Sequence, residues 1–170
     1  MIASRIAGGV IWSYGNATTA PYTEQFYIGG ANSVRAFSAR SIGPGGYPPE
    51  TDRKYTYINH VGDIRIEANI EYRFRMIADL HGAVFLDAGN VWLMRKDENR
   101  PNGEFTLKNF PKQVALGTGA GLRYDLDFLV FRFDWGVALH DPYDTGKKGY
   151  YNIPKFKDGM AWHFAIGYPF

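Results

Sequence analysis

The side chains in this chain that could do chemistry are charged, and they recur at every second position. Between Gly62 and Met76 the odd positions read Asp63, Arg65, Glu67, Asn69, Glu71, Arg73 and Arg75, while the even positions carry Ile64, Ile66, Ala68, Ile70, Tyr72, Phe74 and Met76. Arg123 with Asp125, and Arg132 with Asp134, repeat a mixed-charge side in two later segments. Acids and bases at neighbouring heights on one strand face suit a wet interior. No catalytic set stands beside them. Cysteine is absent, which removes disulfides, thiol catalysis and thiolate-ligated metals. His60, His81, His140 and His163 are scattered and lack metal-ligand spacing. No nucleophile elbow or phosphate loop is present. Gly117-x-Gly119-x-Gly121 lacks the following helix that a nucleotide fingerprint requires, and alternating glycines on one strand face make room instead. The sequence predicts no catalytic residue, no metal and no cofactor, hence no enzyme.

Six segments must position these charges. Gly62–Met76 is the clearest. In Gln113–Leu126 the apolar side is Val114, Leu116, Ala120, Leu122, Tyr124 and Leu126, opposite Gly117, Gly119, Gly121, Arg123 and Asp125. In Phe128–His140 the apolar residues fall on odd positions, against Arg132, Asp134, Gly136 and His140. Gly159–Phe170 sets Met160, Trp162, Phe164, Ile166, Tyr168 and Phe170 against small or polar residues. Leu80–Arg95 is apolar on both sides but carries Asp87 and Asn90, and Ile2–Tyr14 is a weaker strand with glycines at 8 and 9. Ordinary strands run about 5–6 residues, and a tilted strand crosses a bilayer in about 9–11, so these are long enough to span.

The connections are unequal. Ile77–Asp79 and the region of Asp127 are short enough for hairpin turns. Gly15–Val61 is Gly/Pro/Ser-rich and too long for an inert loop, and Lys96–Lys112 and Asp141–Asp158 are polar loops of medium length. Short turns at one end and long loops at the other are the layout of an outer-membrane barrel. A soluble sandwich or small-ligand barrel also alternates, with its apolar face inward; long strands and a mixed-charge polar face favour the membrane. The expected fold is all-β: an antiparallel meander of about six long transmembrane-type strands.

Composition sets the outer limits. A chain of 170 residues is one domain's worth. Glycine at 20 residues and aromatics at 16% point to strands with tight turns or close backbone approach. Nineteen basic against 17 acidic residues is too even a balance for a nucleic-acid binder. No apolar run approaches the ~18 residues of a membrane helix, and residues 1–5 lack the pattern of a secretory signal.

Within the long segment, Phe26-Tyr27-Ile28-Gly29-Gly30-Ala31-Asn32-Ser33-Val34-Arg35-Ala36-Phe37, followed by Gly43-Pro44-Gly45, resembles the long loop of the bacterial surface-antigen family, the BamA/TamA-like outer-membrane assembly barrels. That loop carries a Gly-Gly step, a Val-Arg-Gly-Phe/Tyr motif and a Gly-Pro. Phe85-Leu86-Asp87-Ala88-Gly89-Asn90-Val91-Trp92 is similar to the strand motif facing the loop, and Lys157–Phe164 to the C-terminal β-signal, with Gly159, Trp162 and Phe164 at its marked positions. The resemblance implies that residues 1–170 are the C-terminal part of a sixteen-stranded barrel, with a loop of about residues 15–61 folded back into the lumen. It implies that Arg35 pairs with Asp87 and Glu71 as a lock, with Gly29, Gly30, Val34, Ala36 and Phe37 shaping the loop. Ala36 stands where the family has Gly; if the site needed a positive φ, the cost would be about 1 kcal/mol.

Trp162, Phe164, Tyr168 and Phe170 share one face of the last segment, which suits lipid and an aromatic girdle, and the resemblance counts all four with Gly159 in the β-signal. Assembly machinery reads such a strand by β-augmentation. Pro169 lacks an N–H and is expected to leave the barrel seam short of pairing. Six strands fall short of the smallest usual barrel, of about eight, so the chain reads as a fragment of a longer protein, self-associating through its edges. Expected partners are outer-membrane lipid, nascent β-barrel clients and assembly-complex subunits. The function implied is non-enzymatic insertion of β-barrel proteins into the outer membrane. The alternatives are a two-partner-secretion-type translocation pore and a soluble binding module.

Overall fold

The computed structural model describes residues 1–17, 20–49 and 60–170. They form one sheet of six strands in sequence order: β1 (Ile2–Val10), β2 (Ile64–Ile77), β3 (Leu80–Trp92), β4 (Ala115–Asp125), β5 (Val130–His140) and β6 (Met160–Ile166). Every neighbouring pair is antiparallel. The chain is an all-β meander of long strands, as the alternation requires. The hairpins close where the sequence places them, through Ala78 and Asp127, both with positive φ (46° and 66°).

The sheet is inside out relative to a soluble fold. Glu67, Glu71, Asp87, Arg123, Arg132 and Asp134 are wholly buried, while Ile70, Leu86, Phe133, Trp162 and Phe164 stand exposed on the opposite face. Burying charge and leaving large apolar side chains bare is unfavourable in water. In a bilayer the same arrangement is favourable, because lipid covers the apolar face and the charges pair on the inner one. The soluble binding module fails on this point.

The polar face is covered by the chain's own long loop, residues 20–49. Its apolar side chains make the only aliphatic core among the described residues of any depth: Ile28, Val34 and Ile42 pack with Val91 and Ala115, flanked by Phe26 and Phe37. A smaller cluster joins Ala36 to Ala138 and Ile153. At the long-loop end Trp92 packs edge-on to Phe105 and against Phe110, and its indole donates to Gln113 Oε1 at 3.0 Å. Loop and sheet therefore bury each other. Residues 18–19 and 50–59 of the expected 15–61 loop lie outside the described residues.

Strand ends differ from the sequence reading. β1 stops at Val10 and β3 at Trp92, short of Tyr14 and Arg95. The larger correction is at the C-terminal end. Gly159 closes a short 3-10 helix, Phe156–Gly159, so β6 starts one residue later; it ends at Ile166, four residues before Phe170. Gly167 takes φ +84°, which breaks the alternation and turns the tail toward the polar face. There the Tyr168 ring lies 4.4 Å from the Arg73 guanidinium, and the Phe170 ring 5.3 Å from that of Arg5 and 5.8 Å from that of Arg73. Tyr168 and Phe170 are thus not part of the lipid-facing column, because cations draw the rings inward. Trp162 and Phe164 remain on that column, stacked with Phe133 and Phe131 respectively. The break also precedes Pro169. The last ladder-like bond, Gly167 N–H to Val130 O at 2.8 Å, is made before the proline is reached.

Candidate functional site

The site begins with a turn that only glycine makes easily. Gly29 and Gly30 have φ of 96° and 90°. A β-carbon on Gly29 would strike the Ser38 carbonyl, so the outgoing and returning limbs of the loop touch here. The Gly30 N–H donates to Phe37 O at 2.8 Å and closes the tip. Ser33, Val34, Arg35 and Ala36 are thereby pressed on the sheet.

Arg35 is wholly buried. Its Nε donates to Asp87 Oδ2 at 2.8 Å and one terminal nitrogen to Asp87 Oδ1 at 2.9 Å, a two-pronged fork. Its backbone N–H donates to the same carboxylate at 3.1 Å, and the other terminal nitrogen pairs with Glu71. The guanidinium lies 3.6 Å from the centre of the Phe85 ring. The planar fork, the second carboxylate and the aromatic face together use the features that distinguish arginine from lysine. Asp87 and Glu71 reach it because both occupy odd positions on neighbouring strands, pointing to the polar face. The structure brings Arg35, Asp87 and Glu71 to one point.

More residues meet there than the motif names. Glu71 also accepts from Arg123 at 3.0 Å and Arg73 at 2.7 Å, and Arg123 continues to Asp134 at 2.6 Å. Asn69 Nδ2 bridges Asp87 and the Ser33 carbonyl, each at 2.9 Å. Glu67 accepts from the Ser33 hydroxyl at 2.8 Å and pairs with Arg5 and Arg65. Arg5 and Arg132 hold the two oxygens of Asn32. His163 Nε2 donates to the Arg35 carbonyl at 2.8 Å. The alternation announces that Glu67, Arg73, Arg123, Arg132 and Asp134 share a face, but the parity of their strands cannot say which of them touch the loop. Asn32 and Ser33 lie within the loop motif and His163 within the last strand, but nothing in the sequence marks them as contacts of the lock.

Ala36 sits with ordinary negative φ, since it is absent from the positive-φ positions among the described residues. Its methyl enters a slot floored by Gly117 on β4, and its α-carbon and the Arg35 carbonyl lie directly over Gly136 on β5; a β-carbon on either glycine would collide with them. Two glycines on the sheet make room for the alanine on the loop. The other two glycines of the β4 run serve the same face, Gly119 beneath Phe85 and Gly121 beneath Arg123 and Asp134.

The sequence matches the Omp85 superfamily domain over residues 1–170. The chain belongs to the Omp85 superfamily. Among curated proteins it is similar to the outer membrane protein assembly factor BamA of Nitratidesulfovibrio vulgaris, 27% identical over 166 residues, covering 96% of this chain and 18% of that protein. It is also similar to the BamA of Neisseria meningitidis serogroup B, 29% identical over 89 residues, covering 49% of this chain and 11% of that protein. The chain thus spans under a fifth of the length of these relatives. Membership of this family, with the inverted sheet, places it in the bacterial outer membrane.

Proposed function

We propose that this Omp85 chain is the C-terminal part of a sixteen-stranded barrel that inserts β-barrel proteins into the outer membrane without catalysing a covalent step. The relatives named as assembly factors support the reading. The observation that carries it is Arg35: a loop arginine, wholly buried, forked on Asp87 and paired with Glu71 on the inner face of two strands. Removing such a charge from water is costly unless each donor is met. A loop that meets the cost this way is held in one position, so it plugs and braces the lumen.

In this reading Arg35, Asp87 and Glu71 are the lock, and Gly29, Gly30, Val34, Ala36 and Phe37 shape the loop that carries it. Gly159, Trp162 and Phe164 belong to the β-signal, with Tyr168 and Phe170 in the inward-turned tail behind it. The substrates are nascent barrel proteins, with lipid and other assembly subunits as neighbours. The test is depletion of the full-length protein in cells. Lowered levels of many barrel proteins at once support the reading. Loss of a single secreted protein, with other barrels intact, would establish a translocation pore instead.

A further inference from the structure

β6 is the least paired strand of the sheet. It matches β5 at seven positions, against nine, thirteen, ten and ten for the other ladders. Among the described strands its outer edge has no neighbour. Its side chains on the membrane face stack on β5. On the inner face the situation is different. His163 sits opposite Asp134, and its Nε2 crosses β5 to the Arg35 carbonyl at 2.8 Å. That carbonyl lies over Gly136, the only residue type at that place that lets the loop come so close to β5. Beyond Gly167 the tail returns over the same arginine, with the Phe170 ring 5.9 Å from its guanidinium. Arg73, which pairs with Glu71 in the lock, also reaches the Phe170 carbonyl at 3.4 Å. One residue of the loop is therefore held from below by β2 and β3 and from the side by β6 and its tail.

We infer that the inner loop and β6 form one cooperative unit joined through His163: seating the loop holds β6 on β5, and β6 in place holds the loop. This rests on the reading of Arg35 as the lock, and it adds the strand that the lock controls. His163 is a positioning residue in this scheme. It must present an N–H at Nε2, because its partner is a carbonyl that can only accept. A glutamine amide can supply the same donor, and a leucine cannot. By linkage the dependence is mutual, so weakening either end must loosen the other.

The experiment is hydrogen exchange followed by mass spectrometry on the full-length protein in detergent micelles, comparing peptides from β6 and from residues 29–40. The variants are His163→Leu, His163→Gln and Arg35→Ala, each checked for unchanged strand content by circular dichroism. Loss of one hydrogen bond corresponds to about fivefold faster opening. His163→Leu is expected to speed exchange about fivefold in both segments, and His163→Gln to return both to wild-type rates. Arg35→Ala is expected to speed exchange in β6, although it leaves every β6 backbone bond in place. The coupling is overturned if His163→Leu speeds β6 alone, or if Arg35→Ala frees the loop while β6 keeps its protection. If Arg35→Ala leaves the loop as protected as before, the lock itself is wrong, and the coupling falls with it. Should Arg35→Ala lose strand content, the leucine and glutamine pair decides the matter without it.

Discussion

In the proposed lock a single residue, Arg35, governs the loop, because its loss also strands the buried Asp87. Asp87 is buried with it, so Arg35→Ala leaves that carboxylate uncompensated, while Glu71 keeps Arg73 and Arg123, and the change should cost about 3–5 kcal/mol of stability. Arg35→Lys keeps the charge but loses the fork and the stacking on Phe85. Thermal midpoints in micelles should fall in the order wild type, lysine, alanine. Equal midpoints for lysine and wild type would show that charge alone suffices. Asp141, just beyond β5, is a separate case. Burial pushes its carboxyl up from the usual aspartate value, against the smaller opposing effect of its bond with Tyr143. The same burial, with Asp141 beside it, pushes the Tyr143 phenol up too. A raised folded value for Asp141 means a stabilising contribution that is present in acid and lost as pH rises through it. Asp141→Asn, neutral throughout, should therefore melt higher than wild type at pH 7, and the gap should close as pH falls below about 3.9. A gap independent of pH would refute the assignment.

At the scale of elements, loop and sheet are fitted by volume as well as by charge. Gly117 faces the Ala36 methyl, so Gly117→Ala overfills the slot and should cost about 1–3 kcal/mol. Adding Ala36→Gly should recover most of that loss, since the second change removes the colliding methyl. A double variant no more stable than Gly117→Ala would show that the slot does not read residue 36. Ala36 therefore sits here without strain: the need at this position is room, and the sheet supplies it. The tail teaches a related lesson. Alternation continued through Tyr168 and Phe170 in the sequence, yet one glycine with positive φ ended the strand, and nearby guanidiniums fixed where the rings went.

At the scale of the whole chain the two outer strands matter most. Among the described strands β1 and β6 each have a neighbour on one side only; in the proposed sixteen-stranded barrel further strands pair with both, and the 170 residues taken alone leave those N–H and C=O groups unpaired. In a membrane those groups need partners, and in isolation a second copy is the nearest source. Light scattering in mild detergent should find dimers or larger species, with precipitation when detergent is withdrawn. A monodisperse monomer in plain buffer would contradict the membrane face formed by Ile70, Leu86, Phe133 and Trp162.

The order of side chains alone determined the strands, their facing and the hairpin turns, because a period of two is a local property and its breaks fall at residues suited to turns. The resemblance to the surface-antigen family pointed to Arg35, Asp87 and Glu71 through the motifs that hold them. Only the tertiary structure decided what surrounds them. Ser33, Asn69, Arg123, Asp134 and His163 come together from the loop and four different strands, at separations where no local pattern links them. Phe170 was placed wrongly by alternation because a pattern of faces has no knowledge of a turn made by Gly167. The slot for Ala36 was invisible for the same reason. Gly117 and Gly136 are more than eighty residues away in the chain, and the fit between a methyl group and two missing ones exists only when sheet and loop are packed.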